Sequence, residues 1–332
     1  MVRVAIVGCS NLGRMHAKNY LQVPDAEVVA YCDLIEEPRA IMKKEVFDPA
    51  GVAPRAFSDF DQMVKDAQPD AVSLVLPHSL HYPFCMKCLN AGLHVLCEKP
   101  LVTETAHAAD LVAKVKETNR ILEISFQSVY TANFQYMRDA IRKGDAGEIV
   151  FVHGHMYQGW LTNLAKKPEK KWRLKKAISG GGQLYDSGSH LLNAMLWATG
   201  LKPVRVYAEI DNRTEEVDVC SSLSIRFANG AVGNIAISGE TWQPGMPSRL
   251  IVTGEKLEFS LHHGGEDLKV YSPKGEVKPK VPANRTPQAN FVNAILGKEE
   301  PLCPVEYGLT LARFMDAVYK SAEKGQPADI AA

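Results

Sequence analysis

The first residues able to do chemistry lie in a short glycine turn, Gly8-Cys9-Ser10-Asn11-Leu12-Gly13, directly after an apolar run. A strand that breaks at glycines and restarts as a helix turns backbone amides and a helix N-terminus toward a phosphate group. Ser10 stands where such turns often carry their middle glycine, and it is small enough for close approach. Asp33 follows Gly8 by twenty-five residues, at the end of a second apolar run, where a carboxylate can accept hydrogen bonds from ribose hydroxyls. Together they predict a dinucleotide site. Leu34 and Ile35 follow with no adjacent cation for a 2′-phosphate, so NAD is favoured over NADP, although Arg39 and Lys43 are near in sequence.

Two further segments carry groups suited to moving protons. Cys97-Glu98-Lys99-Pro100 ends another apolar run, and ligands of parallel sheets bind at that edge. There Lys99 can donate to a hydroxyl or a developing alkoxide; the alternative is a surface ion pair with Glu98. In Gly180-Gly181-Gly182-Gln183-Leu184-Tyr185-Asp186-Ser187-Gly188-Ser189-His190, the carboxylate and imidazole are four residues apart and would share one face of a helix. Asp186 could orient His190, whose ring titrates near neutral pH. The alternative is an amphipathic core helix with a satisfied His and a first-turn Asp.

The elements that must hold these groups follow from the hydrophobic pattern. Val2–Val7, Val28–Cys32, Ala71–Leu76, His94–Cys97 and Ile121–Phe126 read as buried strands alternating with helices, which implies a parallel sheet with crossovers. After about residue 126 longer alternating runs predict an antiparallel sheet, at Ile149–Tyr157, Val204–Ile210, Asp218–Phe227, Val232–Ser238, Leu250–Val252 and Leu268–Tyr271. A helix over Gln183–Ala198 interrupts them, and two more close the chain at Pro287–Leu296 and Val305–Ala322. The fold class is therefore α/β, with a doubly wound parallel sheet over residues 1–126 and an α/β domain with an open, mostly antiparallel sheet over 127–332.

Composition narrows the partners. The 332 residues contain 38 Lys+Arg and 38 Asp+Glu, so no overall field draws in nucleic acid or an anionic membrane. No apolar run reaches the roughly 18–20 residues that span a bilayer. Seven cysteines in apolar context suit reduced thiols, and with the N-terminal run read as a strand they predict a cytoplasmic protein. Cys85 and Cys88 have redox or zinc spacing but no second pair, and His153 with His155 lacks further ligands, so no metal is expected. His262-His263 reads as a turn. The basic stretch Lys166–Lys176 reads as a solvated loop or as a lid. As a lid it would bring Arg173 to a cofactor phosphate or an anionic substrate group, and Trp172 to a sugar or nicotinamide face.

The ordered set resembles the Gfo/Idh/MocA oxidoreductases over nearly the whole chain. It comprises the glycine turn, Asp33, Leu76-Pro77-His78-Ser79-Leu80-His81, Glu98-Lys99-Pro100, Trp172-Arg173 and Gly180 through His190. The resemblance implies a Rossmann domain, a second domain whose sheet makes oligomer contacts in a homodimer or homotetramer, and roles for particular residues. Lys99 would hydrogen-bond the reacting oxygen, and His190 would serve as general base in oxidation. Asp186 would orient His190 or hold a neighbouring hydroxyl. Gly8, Ser10, Asn11, Leu12, Gly13, Asp33, Leu34, Leu76, Pro77, His78, His81, Glu98, Lys99, Gln127, Trp172 and Arg173 would hold the cofactor; Tyr157 and Asn193 would meet substrate. Asn193 stands where inositol-type relatives often have Asp, and Val129 where many have Arg, which bears on substrate identity. The implied reaction is NAD-dependent oxidation of a secondary hydroxyl on a sugar or cyclitol. Redox-cycling glycoside cleavage with retained NAD and a non-catalytic NAD sensor are the alternatives.

Overall fold

The computed structural model describes residues 1–242 and 246–331, and the chain divides into two compact units. The first comprises Met1–Val102, Ala106–Ser125 and Arg285–Gly308. Its strands are β1 (Val2–Val7), β2 (Ala26–Cys32), β3 (Arg55–Phe57), β4 (Ala71–Leu74), β5 (His94–Cys97) and β6 (Leu122–Ile124). They form one parallel sheet in the order β3-β2-β1-β4-β5-β6. The order reverses between β1 and β4, and the carboxyl ends of the strands at such a switch point form the ligand crevice of doubly wound folds. Helix α1 (Asn11–Tyr20) leaves β1 through the glycine turn. Val4, Ile6, Tyr20, Met42 and Phe47 are buried with it in the core.

The main amendment to the sequence boundary at residue 126 lies near the end of the chain. Arg285–Gly308 returns to the first unit, where the Pro287–Ile295 helix buries Phe291 and Val292 among Val2, Val4 and Tyr20. The main chain is fastened as well, since Leu302 N–H donates to buried Glu123 at 3.0 Å. No local pattern reveals such a return, because an apolar helix face fits either core.

The second unit comprises Thr103–Thr105, Phe126–Asn284 and Leu309–Ala332. Its strands are β7 (Ile149–Tyr157), β8 (Pro203–Asp211), β9 (Cys220–Phe227), β10 (Val232–Ser238), β11 (Arg249–Gly254), β12 (Glu258–His262), β13 (Lys269–Ser272), β14 (Gly275–Val277) and β15 (Ala328–Asp329). The sheet order is β14-β13-β12-β11-β7-β10-β9-β8-β15, and only β7 and β10 pair in parallel. Strand β12 takes in His262, so the turn expected at His262-His263 begins one residue later. Helix α2 (Ser189–Thr199) buries almost every residue. A Cβ on Gly154 of β7 would stand 3.2 Å from Leu191 Cδ2, so helix and strand approach closely there.

The described cysteines are all free thiols, and Cys85 and Cys88 are buried inside the His78–Asn90 helix. Among the described residues no three His, Cys, Asp or Glu side chains gather as a metal site, and no helix is long and apolar enough to cross a membrane.

Candidate active site

The glycine turn closes the first strand under tight steric demands. Gly8 has φ +97°, and a Cβ there would lie 2.0 Å from the Val75 carbonyl oxygen. A Cβ on Gly13 would lie 1.9 Å from the Gly8 carbonyl oxygen. Ser10, by contrast, has φ −61° and ψ 179°, an extended conformation any residue adopts. It is the N-cap of α1, its hydroxyl facing Gly13 N–H across a long 3.5 Å. Serine at the middle position therefore removes nothing the turn requires and adds a cap. Behind it Asn11 and Leu12 open the helix with their amides directed outward from its first turn.

Asp33 lies one residue beyond β2. Its carboxylate accepts Cys9 N–H at 2.9 Å and Ile35 N–H at 3.0 Å, one on each oxygen. Each oxygen keeps a second lone pair for a hydroxyl donor. Arg39 donates to the Asp33 main-chain carbonyl rather than standing ready for a phosphate. Leu34 beside it is exposed. The turn, the helix N-terminus and this tethered carboxylate fit a dinucleotide.

Lys99 is half-buried, two residues past the end of β5, and its bond to Pro100 is cis. The loop is held from below by a chain of polar groups that sequence reading missed. His16 of α1 is fully buried, with Nδ1 2.8 Å from Ser73 Oγ on β4 and Nε2 2.9 Å from a Glu98 carboxylate oxygen. The other Glu98 oxygen accepts Lys99 N–H at 3.3 Å. Burial pushes the Glu98 carboxyl up, but the hydrogen bond and charge of His16 and the charge of Lys99 outweigh it, leaving the group below its ordinary value. A buried carboxylate thus stays ionised and fixes the main chain of Lys99. His81 braces the same loop, with one ring nitrogen 2.7 Å from the Pro100 carbonyl and the other 2.9 Å from that of Leu76. His81 and Glu98 therefore brace the loop after β5, and His78 is buried with its ring 5.8 Å from that of His81.

In the second unit the segment before His190 is built around another unpredicted residue, Asp218. Gly182 N–H donates to one of its oxygens at 2.7 Å and Leu184 N–H to the other at 2.6 Å; Gln183 N–H takes its main-chain carbonyl at 2.8 Å. Tyr319 O–H donates to the carboxylate at 2.6 Å. Burial pushes the Asp218 carboxyl up, and these donors offset only part of that. A Cβ on Gly182 would lie 1.8 Å from the Asp218 carbonyl oxygen, which is why this glycine is needed. Residues Leu184–Gly188 then form a π-helical turn rather than the start of a regular helix, and α2 begins at Ser189.

Asp186 sits on that turn, buried. One of its oxygens accepts Trp160 Nε1–H at 3.0 Å and pairs with Arg173 Nε at 2.9 Å. Arg173 also lies over the Trp172 ring, 4.5 Å from its centroid. The guanidinium assigned by sequence to a cofactor phosphate is thus engaged with Asp186. His190, half-buried in the first turn of α2, meets the Phe126 ring edge-on at 5.7 Å; Asn193 follows it, buried. Gln127 is half-buried in the short helix Gln127–Tyr130. Tyr157 is not brought to this group. Alternation along β7 puts it on the face of His153 and His155, with its ring 5.1 Å from His155. Gly154 on the opposite face meets α2.

Comparison with known families accounts for both units. Residues 2–126 match the oxidoreductase family with an NAD-binding Rossmann fold, and residues 134–260 match the GFO/IDH/MocA C-terminal domain. The chain belongs to the Gfo/Idh/MocA oxidoreductase family. It is 25% identical to D-glucoside 3-dehydrogenase of Escherichia coli K12, over 98% of this chain and 96% of that one. It is 26% identical to myo-inositol 2-dehydrogenase of Thermotoga maritima, over 77% and 73%. Its fold resembles the WlbA dehydrogenase of Bordetella pertussis, solved with NADH and UDP-GlcNAcA, with a TM-score of 0.84 at 23% identity over 100% and 99% of the two chains. The first unit of this Gfo/Idh/MocA protein is accordingly an NAD-binding Rossmann domain.

Proposed function

We propose that this protein is an NAD-dependent dehydrogenase that oxidises a secondary hydroxyl of a sugar or cyclitol. The observation that carries this reading is Lys99, a lysine just past the carboxyl end of a strand of the NAD-binding sheet, whose main chain is fixed by the buried His16–Glu98 pair. The names of the two curated relatives, a glucoside and an inositol dehydrogenase, support the substrate class.

The bound dinucleotide supplies the acceptor for the hydrogen and two electrons that leave the carbinol carbon. Lys99 hydrogen-bonds the hydroxyl oxygen and stabilises the negative charge that develops on it. His190 takes the hydroxyl proton as the carbonyl forms and returns it in the reverse direction. Asp186, fixed by Trp160 and Arg173, holds a neighbouring hydroxyl so that one carbon is presented. The test is purified protein with NAD and a panel of sugars, glycosides and inositols, followed by NADH absorbance. Stoichiometric NADH supports the reading. Glycoside cleavage without net NADH would replace it with redox cycling, and NAD binding without any turnover would replace it with a sensor.

The preference for NAD over NADP rests on Asp33. A carboxylate held by two backbone amides accepts the ribose hydroxyls and repels a 2′-phosphate. Asp33→Ala is expected to weaken NAD binding by roughly 10–100-fold, the value of a charged hydrogen bond, and to narrow the gap to NADP. Equilibrium titrations with both dinucleotides check this; unchanged NAD affinity would remove the assignment.

A further inference from the structure

The basic segment has an ordered face. Pro168–Leu174 is a 3₁₀ helix, in which side chains three apart eclipse one another. Lys170 and Arg173 therefore stand in one row, with Lys167 just before it at the N-cap, and Arg173 ends that row on Asp186. The neighbouring row has a different task, because Leu174 packs with Leu161 against Trp160, Leu164 and Val217. The helix is thereby seated through Leu174, while Arg173 at the end of the cationic row lies on Asp186.

Charge along this row is not balanced. Residues 166–176 hold seven cations, Lys166, Lys167, Lys170, Lys171, Arg173, Lys175 and Lys176, against one anion, Glu169. Arg173 takes Asp186 and Lys175 takes Glu216 at 3.4 Å. Lys170 is half-buried, and among the described residues no carboxylate oxygen pairs with it directly. Burial, together with the charges of Arg173 and Lys167, holds its ammonium below the ordinary lysine value, while Glu169 and Asp186 offset this in part. A lysine kept in such a place gains from an anion that the protein itself does not supply.

We infer that the substrate is an anionic sugar, whose carboxylate or phosphate is taken by Lys170 and Lys167 while its hydroxyls meet the Asp186–His190 segment. Arg173 stays on Asp186 and sets the distance between the anion and the reacting carbon. The inference rests on the dehydrogenase reading above and narrows its substrate class. Because one guanidinium is already committed, the selecting charge is that of the two lysines.

The experiment uses the full-length protein with NAD and three matched probes: glucose, glucuronic acid and glucose 6-phosphate. Both binding, by calorimetry, and turnover, by NADH absorbance, are measured for wild type, Lys170→Ala and Lys170→Glu. The expected result is that wild type prefers one of the anionic probes over glucose by at least about tenfold, a charge-assisted contact. The carboxylate and phosphate arms identify which anion is used. Lys170→Ala and Lys170→Glu should both erase the preference while NAD affinity stays as in wild type, and added salt should weaken only the anionic probe. Equal or better binding of glucose by wild type, or an anion preference that survives Lys170→Glu, would overturn the inference. Charge-dependent binding without NADH would retain the anion site and remove the dehydrogenase reading; turnover of glucose without anion preference would do the reverse.

Discussion

His190→Ala is expected to lower kcat by about 10²–10⁴-fold, the range lost with a positioned general base, with NAD affinity unchanged. Lys99→Met should fall in the same range, because it removes the donor that stabilises the developing alkoxide. The supports give each replacement a clean interpretation. Lys99 N–H bonds Glu98 and the Pro100 carbonyl bonds His81, so neither hydrogen bond uses the lysine side chain, whose charge only adds to that of His16 in keeping Glu98 ionised. The His190 segment is held through the amides of residues 182–184 on Asp218, fastenings made without the imidazole. NADH absorbance for turnover and fluorescence titration for NAD separate chemistry from binding. Wild-type kcat in His190→Ala would remove that residue from proton transfer.

The second large effect is on stability. Asp218→Asn keeps the shape of the side chain but turns an amide NH₂ toward groups that are all donors, Gly182 N–H, Leu184 N–H and Tyr319 O–H. At least one buried donor then loses its acceptor and another opposes it. The expected cost is about 3–5 kcal/mol, as for breaking a buried charged contact by changing one partner. For a domain near 200 residues this corresponds to a fall in Tm of roughly 6–20 °C. Tyr319→Phe removes a single donor and leaves both amides satisfied, so its cost is about 1–2 kcal/mol. Thermal and urea unfolding of both variants check the order of the two effects. Equal small losses would mean that the carboxylate is not the anchor of the glycine segment.

The residues proposed for the chemistry stood out because their motifs are local. Gly8, with its positive φ before α1, marks a turn that few residue types permit, and Asp33 and Lys99 stand just past the ends of β2 and β5, where the apolar runs stop. Strand limits such as Val2–Val7, His94–Cys97 and Ile149–Tyr157 were equally clear, since a period of two or an unbroken apolar run fixes them. What stayed hidden was the second layer of support. His16 and Glu98 are eighty-two positions apart, and Asp218 reaches thirty-six back to Gly182. Nothing in a single sequence distinguishes a buried His or Asp of this kind from an exposed one. The π-helical turn at Leu184–Gly188 was hidden for another reason, as its composition also suits a regular helix. Strand β12 did carry a signal, with Phe259 and Leu261 alternating inward, and was missed because it is only a few residues long. The place of Tyr157 was not legible either, because the sequence does not say which neighbours a strand face meets, and its ring lies beside His155.

The central claim is direct passage of hydrogen from a carbinol carbon to NAD, and isotopic labelling tests it most directly. Protein and NAD are incubated with carbon-deuterated glucose, glucuronic acid and myo-inositol, and the recovered dinucleotide is weighed by mass spectrometry. The account predicts that, for the probe that turns over, the reduced dinucleotide carries one deuterium from the sugar, and that His190→Ala suppresses its formation. Turnover with no deuterium in the dinucleotide would contradict it.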